Sequence, residues 1–130
     1  MTELSRREKL RIALDAAQGR GAEDPLALDL REVASFADTF LILTGRSDRQ
    51  VRAIAEAVEE ALVARGERPI GSEGQGEGRW VLLDFGDLIV HVFQRDVRAD
   101  YALERLWADA AVIALADAGE TRASVKGGAK

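Results

Sequence analysis

The side chains capable of covalent or metal chemistry are few in this chain, and their spacing limits what they can do. The single histidine, His91, lies inside the apolar run Leu88–Phe93, and the 130 residues include no cysteine. A catalytic triad needs a base beside a hydroxyl or thiol nucleophile, and zinc usually needs several His or Cys ligands. Neither can be assembled around His91, so a hydrogen-bonded histidine on a half-buried strand is expected. Asp29, Asp38, Asp48, Asp84 and Asp87 are the carboxylates that could hold Mg²⁺, but no tight D-x-D pair falls on a strand. Asp87 is accounted for by a Gly86-Asp87 turn. Gly45-Arg46-Ser47-Asp48 runs into a helix start, where free N–H groups and the helix dipole could receive an anion. One glycine falls far short of a phosphate cradle, so a capped helix is the simpler reading. Gly71, Gly74, Gly76 and Gly78 are dense enough to suggest a nucleotide loop, yet they open a strand and not a helix. A flexible connection is expected there.

These residues hang on elements organised around Trp80–Phe93, WVLLDFGDLIVHVF, in which two alternating apolar runs flank a turn signal. With Gly86-Asp87 central, Phe85 opposes Leu88, Leu83 opposes Val90, and Val81 opposes Val92, an apolar face for the core. The other face pairs Trp80 with Phe93, Leu82 with His91, and Asp84 with Ile89, an apolar surface tipped with polar groups that suits a partner. A covering helix that makes Trp80 ordinary core is the competing expectation.

Before the hairpin, Ser5–Gln18 spaces Leu10, Ala13, Leu14 and Ala17 as one helical face. Leu26–Leu30, preceded by Pro25, and Thr39–Thr44 read as strands. Ser47 with Gln50 forms a capping-box pattern for a helix whose stripe is Val51, Ile54, Ala55, Val58, Ala61 and Leu62, ending at Gly66. Glu67–Ile70 is expected as a short edge strand. After the hairpin, Asp100 is placed to cap a helix starting near Tyr101, with Leu103, Leu106 and Trp107 on its stripe. Ala108–Ala118 could prolong it, and disorder is expected over 119–130. The sum is a single α/β domain over residues 1–118, with a mixed sheet of four or five strands packed by helices.

A net charge of −5, with Arg interleaved among Asp and Glu, argues against a phosphate-neutralising nucleic-acid binder and for a basic protein as partner. Met1–Lys9 has no apolar core of a targeting signal and no run approaches the ~20 apolar residues of a membrane helix. A soluble, untargeted protein is expected, and the lack of cysteine fits a reducing cytosol.

Three blocks, LDLREVASFADTFLILTGRSDRQVRAIAEAVEE (28–60), WVLLDFGDLIVHVF (80–93) and DYALERLW (100–107), resemble the Iojap-related ribosomal silencing factors in order and spacing. The resemblance spans about Leu10–Trp107. It implies a cytosolic, non-enzymatic protein without cofactor or metal, which binds the fourteenth protein of the large ribosomal subunit at the joining surface. Bound there, it would block the small subunit and repress translation when nutrients are limiting. It also implies a nucleotidyltransferase-like fold, with Gly45-Arg46-Ser47 near the Gly-Ser turn of those enzymes. Their paired acidic strand is unmatched, because Asp87, Ile89 and His91 stand where carboxylates would be wanted, so the fold is expected without the chemistry. Pro25 in the first strand and the Ala-rich stretch after Trp107 depart from the family's pattern. The residues matching the family's partner surface are Trp80, Leu82, Asp84, Tyr101, Glu104 and Leu106. Homodimerisation through the same hairpin face, and nucleotide binding or nucleotidyl transfer at Gly45–Asp48, are the alternatives.

Overall fold

The computed structural model describes residues 4–115. Helix α1 (Arg6–Gln18) begins at a reciprocal capping box in which Ser5 Oγ accepts the Glu8 N–H and the Glu8 carboxylate accepts the Ser5 N–H. Strands β1 (Glu23–Asp29) and β2 (Thr39–Gly45) follow, then helix α2 (Asp48–Ala64). Next come β3 (Gly71–Glu73), β4 (Trp80–Asp84), β5 (Leu88–Gln94), the short helices α3 (Arg95–Tyr101) and α4 (Leu103–Leu106), and β6 (Ala111–Ile113). The sheet is mixed and six-stranded, in the order β3-β4-β5-β2-β1-β6.

The hairpin register matches the expectation: Trp80 pairs with Phe93, Val81 with Val92, Leu82 with His91, Leu83 with Val90 and Asp84 with Ile89. At its tip the Phe85 N–H donates to the Leu88 carbonyl across Gly86-Asp87 (2.9 Å). Beside it, β5 runs parallel to β2, with every residue of β2 buried. Parallel strands covered on both faces read as continuous apolar runs, and FLIL and LIV are such runs. Leu10, Leu14, Val51, Ile54, Val58 and Leu62 of α1 and α2 pack over Leu41, Leu43, Val81, Leu83, Val90 and Val92. On the opposite face, Phe40, Ile42, Ile89 and Phe93 form a second cluster with Leu28, Leu30, Ala37, Val97, Leu103 and Ala110, against which Trp80, Leu82 and Trp107 pack partly buried.

Six expectations are corrected. The sheet exceeds four or five strands because β6 adds to the open edge of β1, with Ala27 opposite Ile113. Ala108–Ala118 therefore does not prolong a helix as far as it is described. Its apolar residues lack a 3.6-residue stripe, whereas β-branched Val112 and Ile113 suit an edge strand. The tail 119–130 lies outside the described residues. Glu67–Ile70 is not a strand, and β3 begins at Gly71, within the run expected to be a flexible connection. That run closes as a turn, with the Gly78 N–H on the Gly74 carbonyl (3.0 Å). Both glycines have positive φ, a Cβ at Gly74 would overlap the Trp80 carbonyl, and one at Gly78 would stand 2.7 Å from the Asp48 carbonyl oxygen.

The helix expected near Tyr101 starts at Arg95, directly off β5, so Asp100 lies within it and does not cap it. Arg98 fixes that start by donating to the Asp24 carbonyl (2.6 Å) and Thr44 Oγ1 (2.7 Å). Ala102, left-handed at φ 50°, then separates α3 from α4. Finally, β1 begins at Glu23, and Pro25 sits at a register irregularity between Glu23 and Leu26 where its missing N–H disrupts no regular ladder.

His91, 4% exposed at the centre of the sheet, is buried as a neutral ring, and that burial lowers its pKa from 6.5 to about 4. As pH falls, the unfolded chain takes up this proton first. The resulting stability is complete above about pH 6.5 and should decline by about 3 kcal/mol as pH falls toward about 4. Arg31, with a smaller contribution from Arg6, holds the Asp29 carboxyl well below the usual carboxylate range, so its effect is lost only at lower pH. Urea unfolding between about pH 7 and about pH 4.5 should show the histidine slope, and His91→Gln should flatten it. An equal slope in His91→Gln would assign the effect elsewhere.

Candidate functional site

The sheet face opposite α1 and α2 carries exposed Phe36, Tyr101, Leu106 and Val112, while Val63 on α2 and Ile70 before β3 are exposed elsewhere. Cross-strand register places Trp80, Leu82 and Asp84 on it, in rows with Phe93, His91 and Ile89 of β5. Trp80 stacks on Phe93, with ring centroids 4.9 Å apart and planes 27° apart. Its indole N–H donates to His91 Nδ1 (3.1 Å), which puts the histidine proton on Nε2, a buried atom without a hydrogen-bond partner among the described residues. His91 thus fixes the orientation of the half-buried Trp80, and its neutral state leaves it an acceptor.

Tyr101, at the end of α3, lies against Trp80 with centroids 4.6 Å apart and is 56% exposed. Leu82 is half-buried against the same core. Asp84 shares the face, but its Oδ1 accepts the Gly86 N–H (2.8 Å), so it also holds the hairpin turn. Glu104 is turned inward, where its Oε2 accepts from Arg98 Nε (3.1 Å). It ties α4 to the arginine that fixes α3, a role an interface carboxylate would not need. Leu106, 71% exposed, stands at the end of α4 beside Trp107. The structure therefore groups Trp80, Leu82, Asp84 and Tyr101, while Glu104 and Leu106 stand on the neighbouring helix in different roles.

Sequence reasoning missed the continuation of this apolar surface. Phe36, 56% exposed, lies on the β1–β2 connection with its ring 5.7 Å from Trp107 and 6.1 Å from Phe40. Val33 is exposed on the same connection, and Val112, opposite Leu28 in register, is exposed at the β6 edge of the same face. A phenylalanine in a connection between two strands was the available signal. Arg98 was also missed, because nothing local distinguishes it from the solvent-facing arginines.

The Gly45–Asp48 turn has little left to offer an anion. Ser47 Oγ accepts the Gln50 N–H (3.1 Å), Asp48 Oδ1 the Arg49 N–H (2.9 Å), and Gln50 Oε1 the Arg46 N–H (2.6 Å). The Gln50 amide does not return to the Ser47 backbone, as a capping box requires. It reaches the carbonyls of Arg20 and Gly21 (both 3.2 Å) and pins the end of α1 to the start of α2. The carboxylates are dispersed as well: Asp29 binds Arg31 and Arg6, Asp48 faces Arg52, and Asp87 binds Lys9 at 2.6 Å. Among the described residues no three His, Asp or Glu side chains converge as metal ligands would.

The family model described as "Ribosomal silencing factor during starvation" matches residues 3–129. A Bacillus subtilis protein named ribosomal silencing factor RsfS is 45% identical over 107 residues, covering 82% of this chain and 91% of its own. The chloroplastic protein Iojap of Zea mays is 34% identical over 103 residues, covering 77% of this chain and 43% of that longer protein. A crystal structure of a Chromobacterium violaceum protein superposes with a TM-score of 0.79 at 36% identity, covering 81% of this chain and 88% of that one. With the family model spanning nearly its whole length and relatives at this identity over most of it, the chain belongs to the ribosomal silencing factor family.

Proposed function

We propose that this protein is a non-enzymatic factor that docks on the large ribosomal subunit through the Trp80 face, keeps the small subunit from joining, and so represses translation in the cytoplasm. The observation that carries this reading is the unequal covering of the sheet. Two long amphipathic helices seal one face, whereas the other leaves Tyr101, Phe36, Leu106 and Val112 exposed, with Tyr101 against a fixed, half-buried Trp80. Aromatic anchors held rigid within an apolar patch are what protein interfaces use for affinity. The docking partner in this reading is a basic large-subunit protein at the joining surface, the fourteenth in the standard naming. The chain's charge of −5 favours such a partner over RNA phosphates. Trp80, Leu82, Asp84, Tyr101 and Leu106 contact it, and Glu104 supports them from behind. A homodimer formed through the same face would compete with docking.

A relation of the sheet to nucleotidyltransferases is part of the same proposal, supported by the path from β2 through Gly45-Arg46-Ser47 into α2. Enzymatic use of that turn is disfavoured, because the N–H groups of Arg46, Arg49 and Gln50 are taken by the side chains of Gln50, Asp48 and Ser47. Calorimetric titration with nucleoside triphosphates and Mg²⁺ should give no heat of binding, and micromolar affinity would revive the enzyme reading.

Purified subunits mixed in the presence of the protein should show fewer joined ribosomes on sucrose gradients, with the protein travelling on large subunits. Absence of both effects would remove the proposal. Trp80→Ala should weaken large-subunit binding about thirty-fold, the equivalent of an aromatic anchor worth about 2 kcal/mol, in a protein whose unfolding is measured in parallel. Unchanged affinity in a folded variant would take Trp80 out of the interface. Glu104→Arg sets a second cation against Arg98, so it should lower the urea midpoint first and affect binding only through α4. A full loss of binding with an unchanged midpoint would instead make Glu104 a direct contact.

A further inference from the structure

Beside Trp80 the Gly74–Gly78 turn and α3 enclose a cleft lined by Gly74, Glu77, Arg79, Trp80, Val97 and Tyr101. Its volume is about 200 Å³, below the ~300–1,000 Å³ of small-molecule pockets and suited to one side chain of another protein. The turn is not loose. The Gln94 amide donates to the Gly78 carbonyl (3.1 Å) and Arg52 reaches the Gly76 carbonyl (3.4 Å). The left-handed glycines hold the chain against Trp80 and Asp48 where any Cβ would collide.

We propose that this cleft receives one arginine or lysine side chain of the protein partner, against the corner formed by Trp80 and Tyr101 and beside the Glu77 carboxylate. The inference rests on the reading that the Trp80 face docks a basic ribosomal protein, and it names the chemistry that one subsite of that face selects. Phe93 occupies one face of the indole, and the remaining aromatic wall includes the ring of Tyr101, 56% exposed. Such rings attract a cation through their negative faces. Among the described residues Glu77 forms no ion pair, so its charge is not already neutralised. Arg79 is the one cation of the lining, and it is outnumbered by Glu77 with Glu73, Asp96 and Asp100, the exposed acids next to the cleft along the chain. The other nearby cations are already paired: Arg98 with Glu104, Thr44 and the Asp24 carbonyl, Arg52 with Asp48 and the Gly76 carbonyl, and Arg95 with Glu23. The balance selects a positive guest.

Two measurements test this, one without the ribosome. Titrating the protein with N-acetyl-arginine methylamide, followed by NMR at the Trp80 indole N–H and the Gly74 amide, should give saturable shifts in the millimolar range. The uncharged citrulline analogue should give none, Glu77→Gln should weaken the response, and Arg79→Ala should strengthen it. No shift, or an equal shift with citrulline, overturns the proposal, as would saturable shifts with N-acetyl-glutamate methylamide in place of the arginine compound. On large subunits, Glu77→Lys should weaken binding about tenfold and reduce its salt dependence. If Leu82→Asp abolishes binding while Glu77→Lys leaves it unchanged, the face docks and the cleft inference is wrong. If the arginine compound binds but the unaltered protein ignores large subunits, the cleft stands and the ribosomal docking reading falls.

Discussion

Everything in this structure depends on burying β2 and β5 side by side at the centre of the sheet. Their parallel pairing, from Thr39 opposite Leu88 to Gly45 opposite Gln94, demands cover on both faces, because neither strand alternates apolar with polar residues. One face obtains that cover from α1 and α2, which are long enough to seal it. The other relies on two short helices and the connection between β1 and β2, which bury Phe40, Ile42, Ile89 and Phe93 but leave aromatic and aliphatic side chains standing in water around them.

That inequality ties stability to function. A monomer could have sealed the second face with another long helix, removing the exposed groups that otherwise favour association. Here the cover stops short, and what projects is held in place. Trp80 is clamped by the stack on Phe93 and by the hydrogen bond to His91, so little of its rotamer entropy remains to be lost on binding. His91 accepts the indole N–H in its neutral form, and burial extends that form well below neutral pH, so the desolvated ring serves as a support for the indole.

Arg98 and Gln50 perform a comparable task at the carboxyl ends of the parallel strands. Arg98 joins β1, β2 and Glu104, and Gln50 joins α1 to the start of α2. A region that in many α/β proteins binds a ligand is occupied here by the protein's own side chains. The N–H groups of Arg46, Arg49 and Gln50, at the turn from β2 into α2, are likewise bonded to side chains of the protein itself.

The sequence by itself determined the hairpin, its register and its two faces, because a period of two is read directly from alternating residues and a two-residue turn leaves one pairing. It likewise determined both long helices, whose stripes repeat over several turns, and the identity of Trp80, Leu82 and Asp84 as neighbours. Only the tertiary structure decided the rest. Whether Val112 and Ile113 join a helix or a strand depends on an open edge of β1 that lies far away in sequence. Where the last helices begin depends on Arg98 reaching Thr44 and Asp24, and Glu104 turned inward for the same reason. The Gly-rich run became a fixed wall of a cleft because Trp80, Asp48 and Gln94 meet it there, contacts that no local pattern of glycines can announce. Periodic burial is a local property and survives in one dimension, whereas a lone ion pair, a strand edge or a cleft exists only once distant segments have met.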